Sequence, residues 1–322
     1  MKPSLHKQTK ILIAFGGNAL NVKGHTNVHQ KEEFIVARKS MEHVVSLIEQ
    51  GYSKIVITHG NGPQVGRIHL QQELTKKEFP RQLTLDACVA DSQGRIGYVL
   101  QNVFDNICLE RGINKKTSTI ITQVVVDAHD PAFQHPSKPI GVFYSENEAH
   151  KLIADRGWIM KEDAGRGWRR VVPSPQPMEI VEKSAFIELL KLDFIIIGVG
   201  GGGIPVIRNA KGELRGVEAV IDKDRASALL AKTIGIDVFI ILTETSNACL
   251  NFNKPNQEPI RKATVKQMEE YLAEGHFLSG SMGPKVESAL AFVKGGGQHA
   301  IIAHLFELEQ ALAGTAGTHI VP

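Results

Sequence analysis

Short apolar runs alternate with long amphipathic stretches along most of the chain. Ile11–Phe15, Ile55–Thr58 and Phe194–Ile197 are continuous apolar runs, which is typical of strands that are buried on both faces of a parallel sheet. Apolar residues recur at helical spacing in Lys31–Gln50 and in Leu85–Leu109. This alternation predicts an α/β fold in which helices cover both faces of a mainly parallel sheet.

The same patterns predict the remaining elements. The β-branched run Thr119–Val126 predicts one strand, and Pro63 is expected to begin a helix. Further predicted elements are the strand Lys54–Thr58, the helices Glu179–Lys191, Lys223–Ile234, Thr264–Glu274 and Lys285–Gly295, and the strands Val238–Thr243 and His299–Ala303.

Residues 127–177, called the insert below, break this alternation. The segment is rich in proline and holds both tryptophans of the chain. Within it, Ser145 followed three residues later by Glu148 predicts a capped helix over Ser145–Asp155. We interpret the insert as a subdomain that is bounded by extended arms.

Three of the predicted strands run directly into glycine clusters. These clusters are Gly16-Gly17-Asn18, Gly60-Asn61-Gly62 and Gly198–Gly203. Glycine after a buried strand lets backbone N–H groups approach an anion, above all a phosphate. Three such clusters predict an enzyme that holds a phosphorylated ligand at several points.

The third cluster also matches GxGxxG, with Glu218 downstream. The dinucleotide fingerprint needs a helix to begin within the glycines. Instead, Ile204–Ile207 predicts a strand and Asn209–Gly212 predicts a turn. An NAD(P)-dependent oxidoreductase is therefore kept as an alternative, and NADH binding would test it.

Three lysines are candidates for binding an anion. Lys223 lies between Asp222 and Asp224 at a predicted helix start, either as part of a solvated surface group or organised by the carboxylates. Lys285 follows Pro284 at a helix N-terminus, where a cation is unfavourable unless an anion compensates. Lys138 lies between prolines and is either an exposed linker residue or a positioned one.

Composition narrows the class of function. The 37 basic and 34 acidic residues give a net charge of +3 without a basic block, so we predict no nucleic-acid partner. No apolar run approaches the ~18 residues of a membrane helix, and we predict a cytoplasmic protein. Cys88, Cys108 and Cys249 lack CxxC spacing and are predicted to pack in the core. We predict no protein-built metal site, since His25 and His29 lack a third ligand.

Taken in order along the chain, these motifs resemble those of the carbamate kinases, which are part of the amino-acid kinase family. The resemblance runs from Ile11 to Pro322, and its most specific segment is EDAGRGWRRVVPSP, residues Glu162–Pro175. The other matching segments are Phe15–Leu20, Thr58–Gly66, Asp91–Gly94 with Ile96–Tyr98, Lys138–Gly141, Gly200–Pro205, Ala219–Asp224 and Gly280–Lys285.

The resemblance implies an open, mainly parallel eight-stranded sheet between helices. It implies an N-terminal lobe, residues 1–192, that binds carbamate or carbamoyl phosphate and forms a homodimer. Residues 193–322 would form a nucleotide-binding lobe, and the insert would be a mobile lid. The implied reaction is ATP + carbamate ⇌ ADP + carbamoyl phosphate with Mg²⁺, running toward ATP in arginine degradation.

The implied roles fall on residues that the motifs already single out. Lys223 and Lys285 would neutralise the nucleotide phosphates, Asp224 would hold both lysines, and Lys138 would reach the site from the lid. Backbone N–H groups for the substrate would come from Gly16, Gly17, Asn18, Gly60, Asn61 and Gly62. The nucleotide would contact Gly201, Gly202, Thr243, Met282, Gly283 and Lys285.

Two positions depart from the wider family. Ala14 stands where related kinases carry a lysine, and Thr243–Asn247 reads TETSN where the family often has Thr-Asp/Asn-Val-Asp. The nucleotide contacts are therefore less firmly implied than the reaction. Kinases for acetylglutamate or aspartate, and a nucleotide-binding regulator without catalysis, are further alternatives; the insert and Ala14 favour carbamate, and the lysines favour an enzyme.

Overall fold

The computed structural model describes residues 8–16, 30–163, 165–277 and 281–322. Gly17 and Asn18, which the sequence predicts to bind substrate, lie outside these ranges, as do His25 and His29. Gly280, in the predicted loop before Lys285, also lies outside them.

Seventeen strands are present within the described residues. In chain order they are β1 (Lys10–Phe15), β2 (Lys54–His59), β3 (Thr117–Thr119), β4 (Gln123–Val126), β5 (Lys138–Tyr144), β6 (Met160–Glu162), β7 (Trp168–Val172), β8 (Pro177–Ile180), β9 (Ile195–Ile197), β10 (Ile204–Arg208), β11 (Leu214–Gly216), β12 (Val238–Thr243), β13 (Cys249–Leu250), β14 (Glu258–Pro259), β15 (Lys262–Thr264), β16 (His299–His304) and β17 (Thr318–Val321).

The same ranges contain nine α-helices. They are α1 (Gln30–Glu49), α2 (Gly62–Leu74), α3 (Leu85–Glu110), α4 (Glu146–Arg156), α5 (Lys183–Lys191), α6 (Lys223–Thr233), α7 (Val265–Ala273), α8 (Met282–Lys294) and α9 (Leu308–Leu312). None of the helices in the described part of the chain is long and apolar enough to cross a bilayer.

The predicted eight-stranded sheet is confirmed. Its strand order is β15–β17–β16–β12–β1–β2–β9–β3, and every neighbouring pair is parallel except β16 with β17. Because β1 and its neighbours run in the same direction, their carboxyl ends meet at one edge of the sheet. That edge is where α/β sheets bind ligands.

Side-chain alternation explains why β1 is continuously apolar. Ile11 and Ile13 pack in a core with residues of α1 and α3, whereas Leu12 and Ala14 pack in a second core with residues of α6 and α8. Successive side chains of a strand point to opposite faces, so a strand covered on both sides needs apolar residues at every position. The apolar run in the sequence reflects these two cores.

The insert leaves and rejoins the fold through paired strands. Val124 of β4 pairs with Ile180 of β8 in a four-stranded sheet of order β11–β10–β4–β8. Beyond these arms, the insert forms its own three-stranded sheet, β5–β7–β6, together with α4. The predicted capped helix is confirmed, since Ser145 and Glu148 form a complete capping box at the start of α4.

The insert packs tightly on α2 at a glycine pair. A Cβ added to Gly66 would lie 2.1 Å from the backbone nitrogen of Gly141. Gly141 has φ +75° and lies where the register of β5 on β7 shifts. Glycine at both positions is therefore what lets β5 approach the helix.

Three predicted elements are corrected. Thr119–Val126 is two strands in different sheets, because the side chain of Gln93 binds the backbone of Thr122 at both N (2.8 Å) and O (3.1 Å) and holds the chain where it turns between them. The helix predicted from Glu179 begins at Lys183, after β8. The last long helix begins at Met282, so Pro284 is its third residue and not its first.

Candidate active site

A cavity of about 650 Å³ lies at the carboxyl edge of the main sheet. The cavity is lined by residues that directly follow strands, among them Gly16 after β1 and Gly60 after β2, and by Thr243 at the end of β12. The insert contributes Lys138 and Arg169. The volume suits a nucleotide-sized ligand, since ligand pockets span roughly 300–1,000 Å³.

One end of the cavity is formed by the N-terminus of α2. Gly60, Asn61 and Gly62, three of the predicted substrate contacts, line it, and Asn61 is the residue that precedes the helix. Its Nδ2 donates to Oγ of Ser92 at 2.8 Å, which fixes the turn. The first amides of a helix have no acceptor within the helix, so this end can bind an anion.

The backbone N–H of Gly60 is already used within the protein and does not face a ligand. Its N–H donates to the carbonyl of Phe15 at 3.2 Å, which joins the ends of β1 and β2. The prediction that Gly60 offers this N–H to a ligand is therefore corrected. Gly60 shapes the wall, and this end of the cavity favours an anion through the positive end of the α2 helix dipole.

The predicted cationic residues meet in one cluster. Nζ of Lys223 lies 2.5 Å from Oδ1 of Asp224, and Nζ of Lys285 lies 2.7 Å from Oδ2 of the same carboxylate. Asp224 is 3% exposed. One buried aspartate thus holds two lysines from α6 and α8, which is the arrangement that the sequence predicts.

Lys138 reaches the same cluster from the insert. Its Nζ lies 2.6 Å from Oδ2 of Asp222, while Oδ1 of Asp222 accepts from the backbone nitrogens of Asp224 (2.9 Å) and Arg225 (3.3 Å) as the N-cap of α6. The sequence alone indicates no such role for Asp222. An aspartate before a helix signals a cap, but its pairing with a lysine 84 residues away is visible only in the fold.

The pKa shifts follow from burial and mutual pairing. Burial opposes ionisation of Asp222 and Asp224, yet the adjacent lysine charges lower the pKa of both carboxyl groups. Burial lowers the pKa of Lys223, although Asp224 opposes the shift. Burial would also lower the pKa of Lys285, but the charge and hydrogen bond of Asp224 outweigh it and raise that pKa.

The opposite end of the cavity is formed by the residues after β12 and before α8. Thr243 and Met282, two of the predicted nucleotide contacts, line it with Phe252 and His276. Gly201, another predicted nucleotide contact, lines the cavity next to Asn61 instead. The wall also includes Glu244, Thr245 and Asn247, the segment that departs from the family pattern. Gly202 and Gly283 are buried next to residues of the wall but do not line it.

The glycine run Gly198–Gly203 is explained by packing. Gly200–Gly202 form a tight turn that leads into β10, and β10 pairs antiparallel with β11. A Cβ on Gly201 would lie 2.1 Å from Nδ2 of Asn61, so the glycine lets the two ligand-facing turns touch. The predicted strand and hairpin are confirmed, and the helix that a dinucleotide fingerprint requires is not formed there.

The cysteines divide into two groups. Cys88 and Cys108 are buried, as predicted, and burial raises the pKa of each thiol to about 11. Cys249 is only partly buried and lines the cavity. Its prediction as a core residue was wrong because β13 is a two-residue strand of a two-stranded sheet and so has no second layer to cover it.

Comparisons with known proteins agree with this arrangement. The model of the amino acid kinase family matches residues 9–304. A carbamate kinase of Pyrococcus horikoshii is 47% identical over 315 residues, and one of Clostridium perfringens is 46% identical over 319 residues; each alignment covers 97% of this chain and 99% of the relative.

The solved structures give the same result. The carbamate kinase from Giardia lamblia bound to AMP-PNP is 40% identical to this chain, with a TM-score of 0.88 and 98% of both chains covered. The same enzyme bound to citric acid superimposes with a TM-score of 0.92 at 39% identity. The resemblance noted in the sequence is thereby confirmed, and the chain belongs to the amino acid kinase family.

Proposed function

We propose that this chain catalyses reversible phosphoryl transfer between ATP and carbamate, ATP + carbamate ⇌ ADP + carbamoyl phosphate. The buried Lys223–Asp224–Lys285 cluster carries the proposal, because it faces the same cavity as the N-terminus of α2. The two carbamate kinases compared above, at 46–47% identity over nearly the whole chain, support the same reaction.

The chemistry of the transfer explains the charge of the cluster. Phosphoryl transfer needs little covalent chemistry from the protein, so catalysis rests on positioning the reactants and on neutralising the negative charge that is spread over the transferring group. Two lysines share one carboxylate in the Lys223–Asp224–Lys285 cluster, which leaves one positive charge for a phosphate. Because Asp224 fixes both ammonium groups before substrate binds, little reorganisation is needed during the reaction.

The acceptor binds at the α2 end of this cavity in our proposal. Gly62 and Asn61 supply the helix N-terminus, with Gly16 and Gly60 forming the wall, and Gly17 and Asn18 are kept as predicted contacts. Lys138 reaches this end from the insert and pairs with Asp222. A substrate phosphate competes with Asp222 for that ammonium group, which couples binding to the position of the insert.

The nucleotide binds at the end formed by Thr243, Met282 and Lys285. Gly201 is kept as a predicted nucleotide contact, although it lines the cavity next to Asn61, and Gly202 and Gly283 lie behind the cavity wall. The Giardia lamblia relative was solved with AMP-PNP, an ATP analogue, which supports ATP and ADP as ligands of this chain. Residues 193–322 are accordingly proposed as the nucleotide-binding lobe and residues 1–192 as the acceptor-binding lobe.

Mg²⁺ enters with the nucleotide phosphates in this proposal. Within the described residues, no group of three His, Cys, Asp or Glu side chains could hold a metal ion. Asp222 and Asp224 are each bound by lysine. Mg²⁺ prefers phosphate oxygens and water when the protein offers few carboxylates, and it supplies further neutralisation of the transferring charge.

We further propose a cytoplasmic homodimer that forms ATP during arginine degradation. The buried free thiols of Cys88 and Cys108 suit a reducing compartment. Ile35 and Tyr98, on α1 and α3, are each more than half exposed, and an exposed apolar surface of this kind favours pairing of the N-terminal lobes. Light scattering of the purified protein tests the dimer.

The reaction is tested by ATP formation from ADP and carbamoyl phosphate with Mg²⁺, coupled to hexokinase. We expect turnover with carbamoyl phosphate and none with acetylglutamyl phosphate, because an acetylglutamyl group is larger and needs a pocket for its second carboxylate. Mixtures without protein correct for decomposition of the acyl phosphate. ADP binding without turnover would instead support the nucleotide-binding regulator.

A further inference from the structure

Arg169 is the second residue of β7 and lies on the part of the cavity wall that the insert forms. Neighbouring side chains of a strand point to opposite faces. Arg170 accordingly lies on the other face, where it stacks on Trp158 and donates Nη1 to Nδ1 of His69 at 2.9 Å. Of the two consecutive arginines, Arg169 is therefore the one that faces the ligand space.

The guanidinium of Arg169 is held firmly. Its Nη1 donates to Oδ2 of Asp163 at 3.1 Å, and its Nη2 donates to the carbonyl of Gly141 at 3.0 Å. It also stacks on Phe143, with 5.1 Å to the ring centroid. Its side chain is only 12% exposed, so this arginine is fixed in place before any ligand arrives.

These contacts do not use all of its donors. A guanidinium has five N–H groups, and Nε of Arg169 is buried without an acceptor in the described part of the chain. A methyl group added to Gly62 would lie 3.8 Å from Nη2. The guanidinium thus faces the N-terminus of α2 across a narrow gap, and both sides of that gap favour an anion.

The balance of charge around Arg169 also favours an anion in this gap. Asp163 also accepts from Nη2 of Arg166 at 3.0 Å, so two guanidinium groups share one carboxylate. Lys138, by contrast, has Asp222 as its own partner. Burial lowers the pKa of Arg169 despite the opposing hydrogen bond and charge of Asp163, but an arginine remains charged at neutral pH. The insert therefore brings one uncompensated positive charge to the acceptor end.

We propose that Arg169 binds oxygen atoms of carbamate and of carbamoyl phosphate, opposite the N-terminus of α2, with Asp163 and Gly141 as its positioning partners. This inference rests on the proposed function and deepens it. An acceptor oxygen in the gap gives the remaining N–H groups a partner, and a planar fork suits a carboxylate-like group. The insert then contributes a recognition group in addition to Lys138.

The test is the effect of Arg169→Gln on each Michaelis constant in the ATP-forming assay. Losing a charge-assisted hydrogen bond should raise KM for carbamoyl phosphate about 10- to 100-fold, while KM for ADP changes less than about twofold. Arg169→Lys keeps the charge and loses the fork, so we expect an intermediate effect. The matched control is Arg156→Gln, which removes an exposed arginine of the insert at the end of α4 that does not line the cavity.

A structural role is distinguished by chemical rescue. Guanidinium ion added to Arg169→Ala should restore part of the lost affinity for carbamoyl phosphate, and it should leave Arg156→Ala unchanged. Equal KM values for carbamoyl phosphate in the wild type and in Arg169→Gln would overturn the inference, as would equal losses for both substrates. If Arg169→Gln does not fold, the same comparison is made with Arg169→Lys. Absence of turnover in the wild type would refute the proposed function itself, which keeps the two failures apart.

Discussion

Two regions of the cavity use the same electrostatic arrangement in different settings. Asp224 holds Lys223 and Lys285 at the proposed nucleotide end, and Asp163 holds Arg166 and Arg169 at the proposed acceptor end. The first carboxylate is 3% exposed and bridges two helices of the main fold. The second is 16% exposed and belongs to the insert, which contacts α2 at the Gly66–Gly141 pair.

This difference in burial and location suits the two charge groups to different roles. A buried charge group built on two helix N-termini cannot move without disrupting the core, so it is suited to constant positioning of the nucleotide phosphates. A charge group on a small three-stranded sheet can shift with that sheet as substrate enters and product leaves. We therefore expect changes in the first region to reduce stability and turnover, and changes in the second to affect acceptor binding.

Asp224→Asn should have the largest effect on stability. It removes the carboxylate that directly pairs with both buried lysines, which should lower the free energy of unfolding by about 3–5 kcal/mol. Asp163→Asn should cost about 1–2 kcal/mol, because water reaches its partner Arg166. Urea unfolding followed by circular dichroism measures both, and similar losses would remove the proposed contrast.

Lys223→Ala and Lys285→Ala should give the largest loss of turnover in a folded protein. Each removes a preorganised charge that faces the transferring phosphate, so we expect kcat to fall by about 10²–10³-fold. Lys138→Ala should lose about the same, through the acceptor end. Steady-state ATP formation tests all three, and a folded Lys285→Ala protein with nearly wild-type activity would contradict the assignment.

Gly66→Ala should separate the insert from α2. The new Cβ would lie 2.1 Å from the nitrogen of Gly141, so β5 must move, and Lys138 and Arg169 move with it. We expect KM for carbamoyl phosphate to rise about tenfold, as expected for misplacing one charged contact, with little change in KM for ADP. Gly94→Ala in α3 is the matched control, because nothing lies within 4 Å of its added Cβ.

Acidification should weaken the contact between Arg170 of the insert and His69 of α2. This effect should be smaller than those of the substitutions above. Burial first, and then the Arg170 charge, lower the pKa of His69 from 6.5, and Nδ1 accepts from Arg170 only when unprotonated. This contact is present above pH 6.5 and is lost as pH falls through the lowered pKa of the folded state. Neighbouring Glu73 and Glu218 oppose the shift.

We expect KM for carbamoyl phosphate to rise relative to His69→Gln, whose amide oxygen accepts without titrating, as the assay pH is lowered from about 7 toward 5. Measuring both proteins across this range cancels protonation of the substrate. Asp222 and Asp224 have lowered pKa values and stay ionised throughout this range, so KM for ADP should not follow the same curve. Identical pH profiles for carbamoyl phosphate in the two proteins would remove His69 from the account.

The sequence predicted correctly those strands and helix starts that are determined by residues close together in the chain. The strands of the main sheet are apolar at each position because both faces are covered, and the start of α4 follows from Ser145 and Glu148 alone. The break between β3 and β4 was missed because it depends on Gln93, a side chain 29 residues earlier. No property of Thr119–Val126 itself reveals that partner.

Prediction of the site residues was limited in the same way, by partners that are distant in the chain. Lys223, Asp224 and Lys285 were identified because they lie at helix starts, where charge has a local meaning. Asp222 and Arg169 were not, since their roles depend on Lys138 and Gly62, which the fold brings near from distant parts of the chain. The GRGWRR segment was part of the most specific match to the carbamate kinases, but the sequence could not show which of its arginines faces the cavity.

The most direct test of the central claim is one kinetic experiment on three proteins. Initial rates of ATP formation are measured over a grid of ADP and carbamoyl phosphate concentrations for the wild type, Lys285→Ala and Arg169→Gln. The account predicts turnover by the wild type, a loss in kcat for Lys285→Ala and a selective rise in KM for carbamoyl phosphate for Arg169→Gln. Absence of wild-type turnover, or the same kinetic change in both variants, would contradict it.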